Sequence, residues 1–267
     1  MKSLRSRPIG IFDSGVGGLT VARSVRRQLP NEDIIYFGDT ARVPYGNKSK
    51  ATIIRFSREI MDFLIKKKVK MVVVACNTAS SFSLPTLRKN YDVPVVGVIA
   101  PGVKEAMAVS ETGRIGVIGT RSTINSRSYE KELKKHRVHK KKMFAESCPL
   151  FVPLVENKFA GDPIARQVAE KYLKGLNAKH VDTLILGCTH YPILKSVIAK
   201  VAKGTRLVDS SVAVAKEVKR VLEEEGLSKK RKARGKMECY VSDDIENFKD
   251  ISSIFLKENM KVKKAVV

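Results

Sequence analysis

Short runs of apolar, often β-branched residues recur along the chain. Each is followed, after a turn, by a longer segment whose apolar positions have helical spacing. Ile9–Phe12, Ile34–Phe37, Met71–Ala75 and Val95–Val98 read as strands, and Ile115–Ile118, Met143–Ala145, Thr183–Leu186 and Arg206–Val208 continue the series. Their apolar character is nearly continuous rather than alternating, the pattern of strands buried on both faces. Leu19–Gln28, Thr52–Ile65, Ser128–Lys135, Asp162–Leu176 and Val212–Glu225 carry the helical period between them. Strand and helix in alternation predict an α/β fold of parallel sheets with helices on both faces.

The pattern also repeats. Ile9-Gly10-Ile11-Phe12-Asp13-Ser14 resembles Ile115-Gly116-Val117-Ile118-Gly119-Thr120, an offset of 106 residues. Val73-Val74-Ala75-Cys76-Asn77-Thr78 resembles Ile185-Leu186-Gly187-Cys188-Thr189-His190, an offset of 112. Two matches in the same order at nearly one offset predict two similar α/β domains related by a pseudo-two-fold repeat. The expected boundaries put residues 1–97 and 210–267 in the first and 98–209 in the second. Glu238–Leu256 then supplies a strand and a helix that complete the first domain.

With 267 residues, 43% of them hydrophobic, the chain can build a buried core. Its longest apolar runs fall far short of the roughly 20 residues of a membrane helix. Four cysteines without close spacing do not make a secreted disulfide framework, so a cytoplasmic protein with reduced thiols is expected. Lys and Arg total 51 against 27 Asp and Glu, a net charge of +24. Two basic segments stand out: 131–142 with seven Lys/Arg, and 229–236 with six. Both read as solvated surface. A nucleic-acid patch is the less favoured reading, because no aromatic residues interleave with the charges.

Cys76 and Cys188 each follow a buried strand and precede a helical pattern. In an open parallel sheet, the crevice at the carboxyl ends of the strands is where ligands bind. A thiol there meets helix amides that favour the thiolate. Metal binding fails on spacing, since no CxxC occurs and only His190 neighbours a cysteine. Cys148 and Cys239 read as packing residues. The turn Asp13-Ser14-Gly15-Val16-Gly17-Gly18 matches no phosphate-binding pattern, and its sharper reading is a carboxylate-binding turn with Asp13 facing the crevice. Val43-Pro44-Tyr45-Gly46 is a turn by composition. His190 lies within reach of a reactive thiol and can tune it or carry its proton.

Two thiols facing each other across a crevice suit inversion at carbon by proton transfer. One thiolate removes a proton from one face, and the opposite thiol returns one to the other. A sulfur pKa of about 8.5 keeps both forms accessible near working pH. Ser14, Asn77, Thr78 and Thr189 are the kinds of donor a developing carbanion needs.

Five ordered motifs then resemble the glutamate racemases, the cofactor-independent two-cysteine racemases. They are Gly10–Gly18, Gly38–Gly46, Val74–Ser80, Gly116–Thr120 and Leu186–Pro192, and together they span roughly residues 8–215. The resemblance implies two α/β domains with the active site in the cleft between them, no pyridoxal phosphate or metal cofactor, and a homodimer. It implies Cys76 as the acid/base acting on D-glutamate and Cys188 as the one acting on L-glutamate. Asp13, His190 and Glu156 would assist them. It further implies substrate binding by Asp13, Ser14, Tyr45, Gly46, Asn77, Thr78, Thr120, Thr189 and His190, and a bacterial cytoplasmic enzyme supplying D-glutamate for peptidoglycan. An aspartate racemase is the nearer alternative, and a nucleic-acid-binding protein the alternative of another class. The basic segments belong to none of the family's motifs.

Overall fold

A computed structural model describes residues 2–136, 141–230, 233–256 and 260–267. Its strands are β1 (Ile9–Asp13), β2 (Ile34–Gly38), β3 (Met71–Val74), β4 (Val95–Gly97), β5 (Arg114–Gly119), β6 (Lys142–Ser147), β7 (Thr183–Gly187), β8 (Arg206–Asp209), β9 (Met237–Val241) and β10 (Val262–Lys264). Six form one sheet in the order β10-β9-β2-β1-β3-β4, and four form a second in the order β6-β5-β7-β8. Every pairing is parallel. The order β2-β1-β3-β4 recurs as β6-β5-β7-β8, so β1 answers to β5 and β3 to β7. Those are the pairs that the two sequence matches linked.

The near-continuous apolarity of the strands has a direct cause. Along β3, Val73 joins a core cluster that runs through both sheets, while Val72 and Val74 join a second cluster on the other face of the first sheet. Period-two alternation thus sends neighbouring side chains into different cores, and both must be apolar. The helix Lys50–Lys66 covers the second cluster with Ile53, Phe56, Ile60, Met61 and Leu64, one stripe at helical spacing. Ser49 caps it by accepting from the Thr52 amide at 3.2 Å. Asp162 and Asp209 cap the helices Pro163–Ala178 and Ser210–Glu224 in the same way.

Where sequence and structure differ, local competition decides. The apolar run Val93–Ala100 does not stay extended: β4 stops at Gly97, and the helix Ile99–Val109 begins inside the run. The helix Ser210–Glu224 packs against both Ile99–Val109 and Leu19–Gln28, so it lies where the two halves of the molecule meet. β10, unforeseen in sequence because it is three residues long and largely polar, pairs with β9 at the sheet edge.

The basic segments are not simply solvated. Lys131 and Lys135 sit on the helix Ser128–Lys135, where Lys131 Nζ donates to the Ser126 carbonyl at 3.0 Å. The Lys229 amide donates to Glu32 at 2.7 Å and its ammonium pairs with Asp33, which docks the start of the second segment. Residues 137–140 and 231–232 of these segments lie outside the described residues. No helix among the described residues is long and apolar enough to cross a membrane.

Candidate active site

The carboxyl ends of β1 and β3 in one sheet and of β5 and β7 in the other face a single cavity of about 240 Å³. Cys76 reaches it from the N-cap position of the helix Asn77–Asn90, two residues beyond β3. Its Sγ accepts from the Ala79 amide at 3.4 Å and donates to Ser14 Oγ at 3.6 Å. The helix amides do favour the thiolate, as the sequence predicts, but they are outweighed. Burial, seconded by the charge of Asp13, pushes the Cys76 thiol up to about 12.

Cys188 enters from the other side, directly after β7, and its setting differs from the expected one. A 3₁₀ turn, Tyr191–Leu194, follows it in place of an α-helix N-terminus, so among the described residues no helix amide supports its sulfur. A histidine takes that part. His190 Nδ1 lies 3.9 Å from Cys188 Sγ, and His190 Nε2 lies 2.9 Å from Glu156 Oε1. Burial opposes protonation of the imidazole, but hydrogen bonds to Cys188 and Glu156 and the charges of those groups prevail, raising it to about 10. Glu156 ends the short helix Phe151–Glu156, which the sequence did not show as a helix.

The cavity gathers eleven of the twelve residues picked out by sequence: Ser14, Tyr45, Gly46, Cys76, Asn77, Thr78, Thr120, Glu156, Cys188, Thr189 and His190. Asp13 is the exception. It is wholly buried and outside the cavity lining, with Oδ2 accepting from the Gly15 amide at 3.0 Å and Oδ1 without a hydrogen-bond partner among the described residues. Burial raises its carboxyl above the usual range, against the pull of His190 and the turn amides. Its charge is among the causes that raise the Cys76 thiol.

Tyr45 also departs from the simplest reading. Its hydroxyl donates to Asp39, which also receives Arg42 Nε at 2.7 Å and Ser242 Oγ at 2.8 Å. Its phenol is thus engaged, and its buried ring packs against Phe56 with centroids 5.7 Å apart. Asp39 and Arg42 were legible only as letters of a motif; their role in holding Tyr45 depends on Ser242, far away in sequence. Val43, Pro44, Asn47, Arg121, Pro149, Val152 and Pro153 complete the wall. Arg121 directly follows Thr120, and the last three flank Glu156, so neighbourhood to a predicted residue was the available signal.

Hydroxyls cross from one half to the other beside the cavity. Thr78 Oγ1 meets Thr120 Oγ1 at 2.9 Å and Thr123 Oγ1 at 3.1 Å. Ser122 Oγ donates to the Gly46 carbonyl at 2.5 Å, and Thr20 Oγ1 to the Thr189 carbonyl at 3.1 Å. Cys148 and Cys239 are buried, and burial raises both thiols, consistent with packing roles. Among the described residues, no group of three or more His, Cys, Asp or Glu side chains is placed to hold a metal ion.

Comparison with known proteins places this arrangement. The family model for Asp/Glu/Hydantoin racemases matches residues 9–218. A glutamate racemase from Aquifex aeolicus is 48% identical over 255 residues, 96% of each chain. The crystal structure of a glutamate racemase isoform from Bacillus anthracis superposes with a TM-score of 0.94 at 37% identity, covering 97% of each chain. That of the Francisella tularensis glutamate racemase in complex with D-glutamate superposes with a TM-score of 0.91 at 38% identity, covering 98% of each. Fold and sequence agree, and the chain belongs to the Asp/Glu/Hydantoin racemase family, among the glutamate racemases.

Proposed function

We propose that the protein interconverts L- and D-glutamate by two-base proton transfer between Cys76 and Cys188. The observation that carries this reading is the placement of the two sulfurs on one small cavity, reached from opposite sheets. With L-glutamate bound, the Cys188 thiolate takes the α-proton, and the C–H electron pair stays on the α-carbon. The Cys76 S–H then protonates the other face, leaving a thiolate at Cys76 and a thiol at Cys188. The reverse reaction exchanges the roles. A raised Cys76 pKa suits the donor in the first direction, and a protonated His190 puts positive charge beside Cys188. Asn77, Thr78 and Thr189 supply hydrogen-bond donors on the cavity wall, where negative charge develops on the substrate.

Asp13 and Glu156 assist from outside the reacting atoms, the first by charge on Cys76 and the second through His190. Residues 1–97 with 210–267 then form the Cys76 side and residues 98–209 the Cys188 side. The enzyme works as a homodimer in a bacterial cytoplasm and supplies D-glutamate to the cell wall.

The test is chiral chromatography of protein incubated with L-glutamate in D2O, with EDTA present. Formation of D-glutamate carrying deuterium at the α-carbon is expected. Well-folded, reduced protein that leaves L-glutamate unchanged but converts L-aspartate would instead assign the aspartate reaction.

A further inference from the structure

The family match ends at residue 218, yet a residue far beyond it touches the candidate machinery. Phe255, in the helix Ile245–Leu256, stands edge-on to the His190 ring, with ring centroids 5.6 Å apart and planes at 86°. Phe255 is fully buried, and its carbonyl accepts from Arg23 Nη1 at 3.0 Å, which ties it to the helix Leu19–Gln28. His190 belongs to the turn after β7, in the other half of the molecule. On a further side the backbone of Gly17 comes so close that a Cβ there would lie 2.4 Å from Cε1 and Nδ1 of His190.

Contacts at the two ring nitrogens, to Cys188 and Glu156, do not stop an imidazole rocking about the line that joins those nitrogens. Packing against the ring does. We infer that Phe255 is a positioning residue: the C-terminal helix, through this side chain, sets the plane of His190 and so the alignment of Nδ1 with Cys188 Sγ. The inference rests on the reading of His190 as partner of the Cys188 thiol. The charged and titratable groups acting on His190 are Cys188, Glu156 and Asp13, the last by charge alone, and Phe255 adds none.

The substitution Phe255→Leu keeps an apolar side chain of similar bulk and removes the ring. The expected result is a kcat about tenfold lower with KM nearly unchanged, the size of loss that a small misplacement of a catalytic group produces. The alkaline limb of the pH profile should move with it, because the imidazole is no longer aligned with Sγ. Ring NMR of His190, one of only four histidines, should show the same displaced titration. Ile251→Ala, a buried site on the same helix, is the control for loosened packing, and should lower Tm without moving the profile. If Phe255→Leu folds and keeps both kcat and pH profile, Phe255 does not position His190. If Ile251→Ala reproduces the whole effect, the contact is structural only. Wild-type protein that fails to racemise glutamate would defeat the parent reading, a result distinct from either.

Discussion

The Cys76 sulfur accepts a hydrogen bond from the Ala79 amide at 3.4 Å, and among the described residues no backbone amide does the same at Cys188, whose partner is the His190 ring at 3.9 Å. Two thiols related by an internal repeat are therefore held by different chemistry, a helix N-terminus on one side and an imidazole on the other. Removal of either should still be equally fatal to racemisation. Cys76→Ala and Cys188→Ala are each expected to lose at least about a thousandfold in turnover, as loss of a general acid or base does. What should differ is the residual half-reaction. Proton NMR in D2O should show Cys76→Ala slowly exchanging the α-proton of L-glutamate only, and Cys188→Ala that of D-glutamate only. Exchange of both enantiomers by one variant would mean that a single base serves both faces.

His190 ties rate to pH and to stability. Because its folded pKa is raised to about 10 from an ordinary 6.5, the imidazolium stabilises the fold fully below about pH 6.5, and that contribution is lost as pH rises toward 10. In His190→Asn, the fall of Tm between those limits should be shallower than in the wild type. The same variant should lose turnover by about 10²-fold, the low end of what general acid–base assistance supplies. The two enantiomers of glutamate are equal in energy, so kcat/KM must fall by the same factor in both directions. The separate kcat and KM values, and the deuterium isotope effects, can become unequal, with the larger change in isotope effect where Cys188 is the base.

Glu156 is partly open to water, its side chain 31% exposed, so its bond to His190 is screened. Glu156→Gln should accordingly cost under about 1 kcal/mol of stability by denaturant titration. Its larger effect should be on the pH profile, whose alkaline limb should move to lower pH as His190 loses one of the groups that raise it.

Much of this was legible beforehand, and the reason is physical. Ile9–Phe12 and Ile115–Ile118 had to be apolar on both faces to lie inside parallel sheets, and that requirement wrote the repeat into the sequence. Cys76, Asn77, Thr78, Cys188, Thr189 and His190 could be located because chemistry in such a fold collects just beyond strands β3 and β7. Contacts made by distant segments left no such trace. Ser242 on Asp39, and Phe255 against His190, join residues more than 60 positions apart through side chains that look ordinary in sequence. The burial that pushes Asp13 out of the cavity wall is likewise a property of packing, not of the turn's composition.

Gly17 shows how close that packing is. A Cβ there would come within 2.4 Å of the His190 ring and of Thr189 Oγ1, contacts that no side-chain rotation of a methyl can relieve. The substitution Gly17→Ala should push the His190 loop from its place and reduce kcat about a hundredfold, as displacement of a catalytic group by about an ångström can. The turn lies between β1 and the helix Leu19–Gln28, with Gly17 outside both elements, so circular dichroism should remain that of the wild type. Activity within threefold of the wild type would show that the loop has room to yield.

At the opposite end of the first sheet, away from the cysteines, Lys70 is buried with its ammonium donating to Glu32 and to the carbonyls of Arg5 and Leu227, at 3.0 and 2.9 Å for the two carbonyls. Glu32 also receives the Lys229 amide, so this pair fastens both the N-terminal segment and the return segment to the sheet. Burial lowers the Lys70 pKa even with Glu32 beside it, a sign that the ammonium's desolvation is only partly offset. Deleting one partner strands the other. Lys70→Ala should destabilise by about 3–5 kcal/mol in urea titration, whereas Lys70→Met combined with Glu32→Gln should recover most of that loss, because no uncompensated charge remains buried. Per folded molecule, kcat and KM should stay at wild-type values in both, since the pair touches no cavity residue. A double variant as unstable as Lys70→Ala would show that the three donor contacts of the ammonium, rather than its charge, hold the segments together.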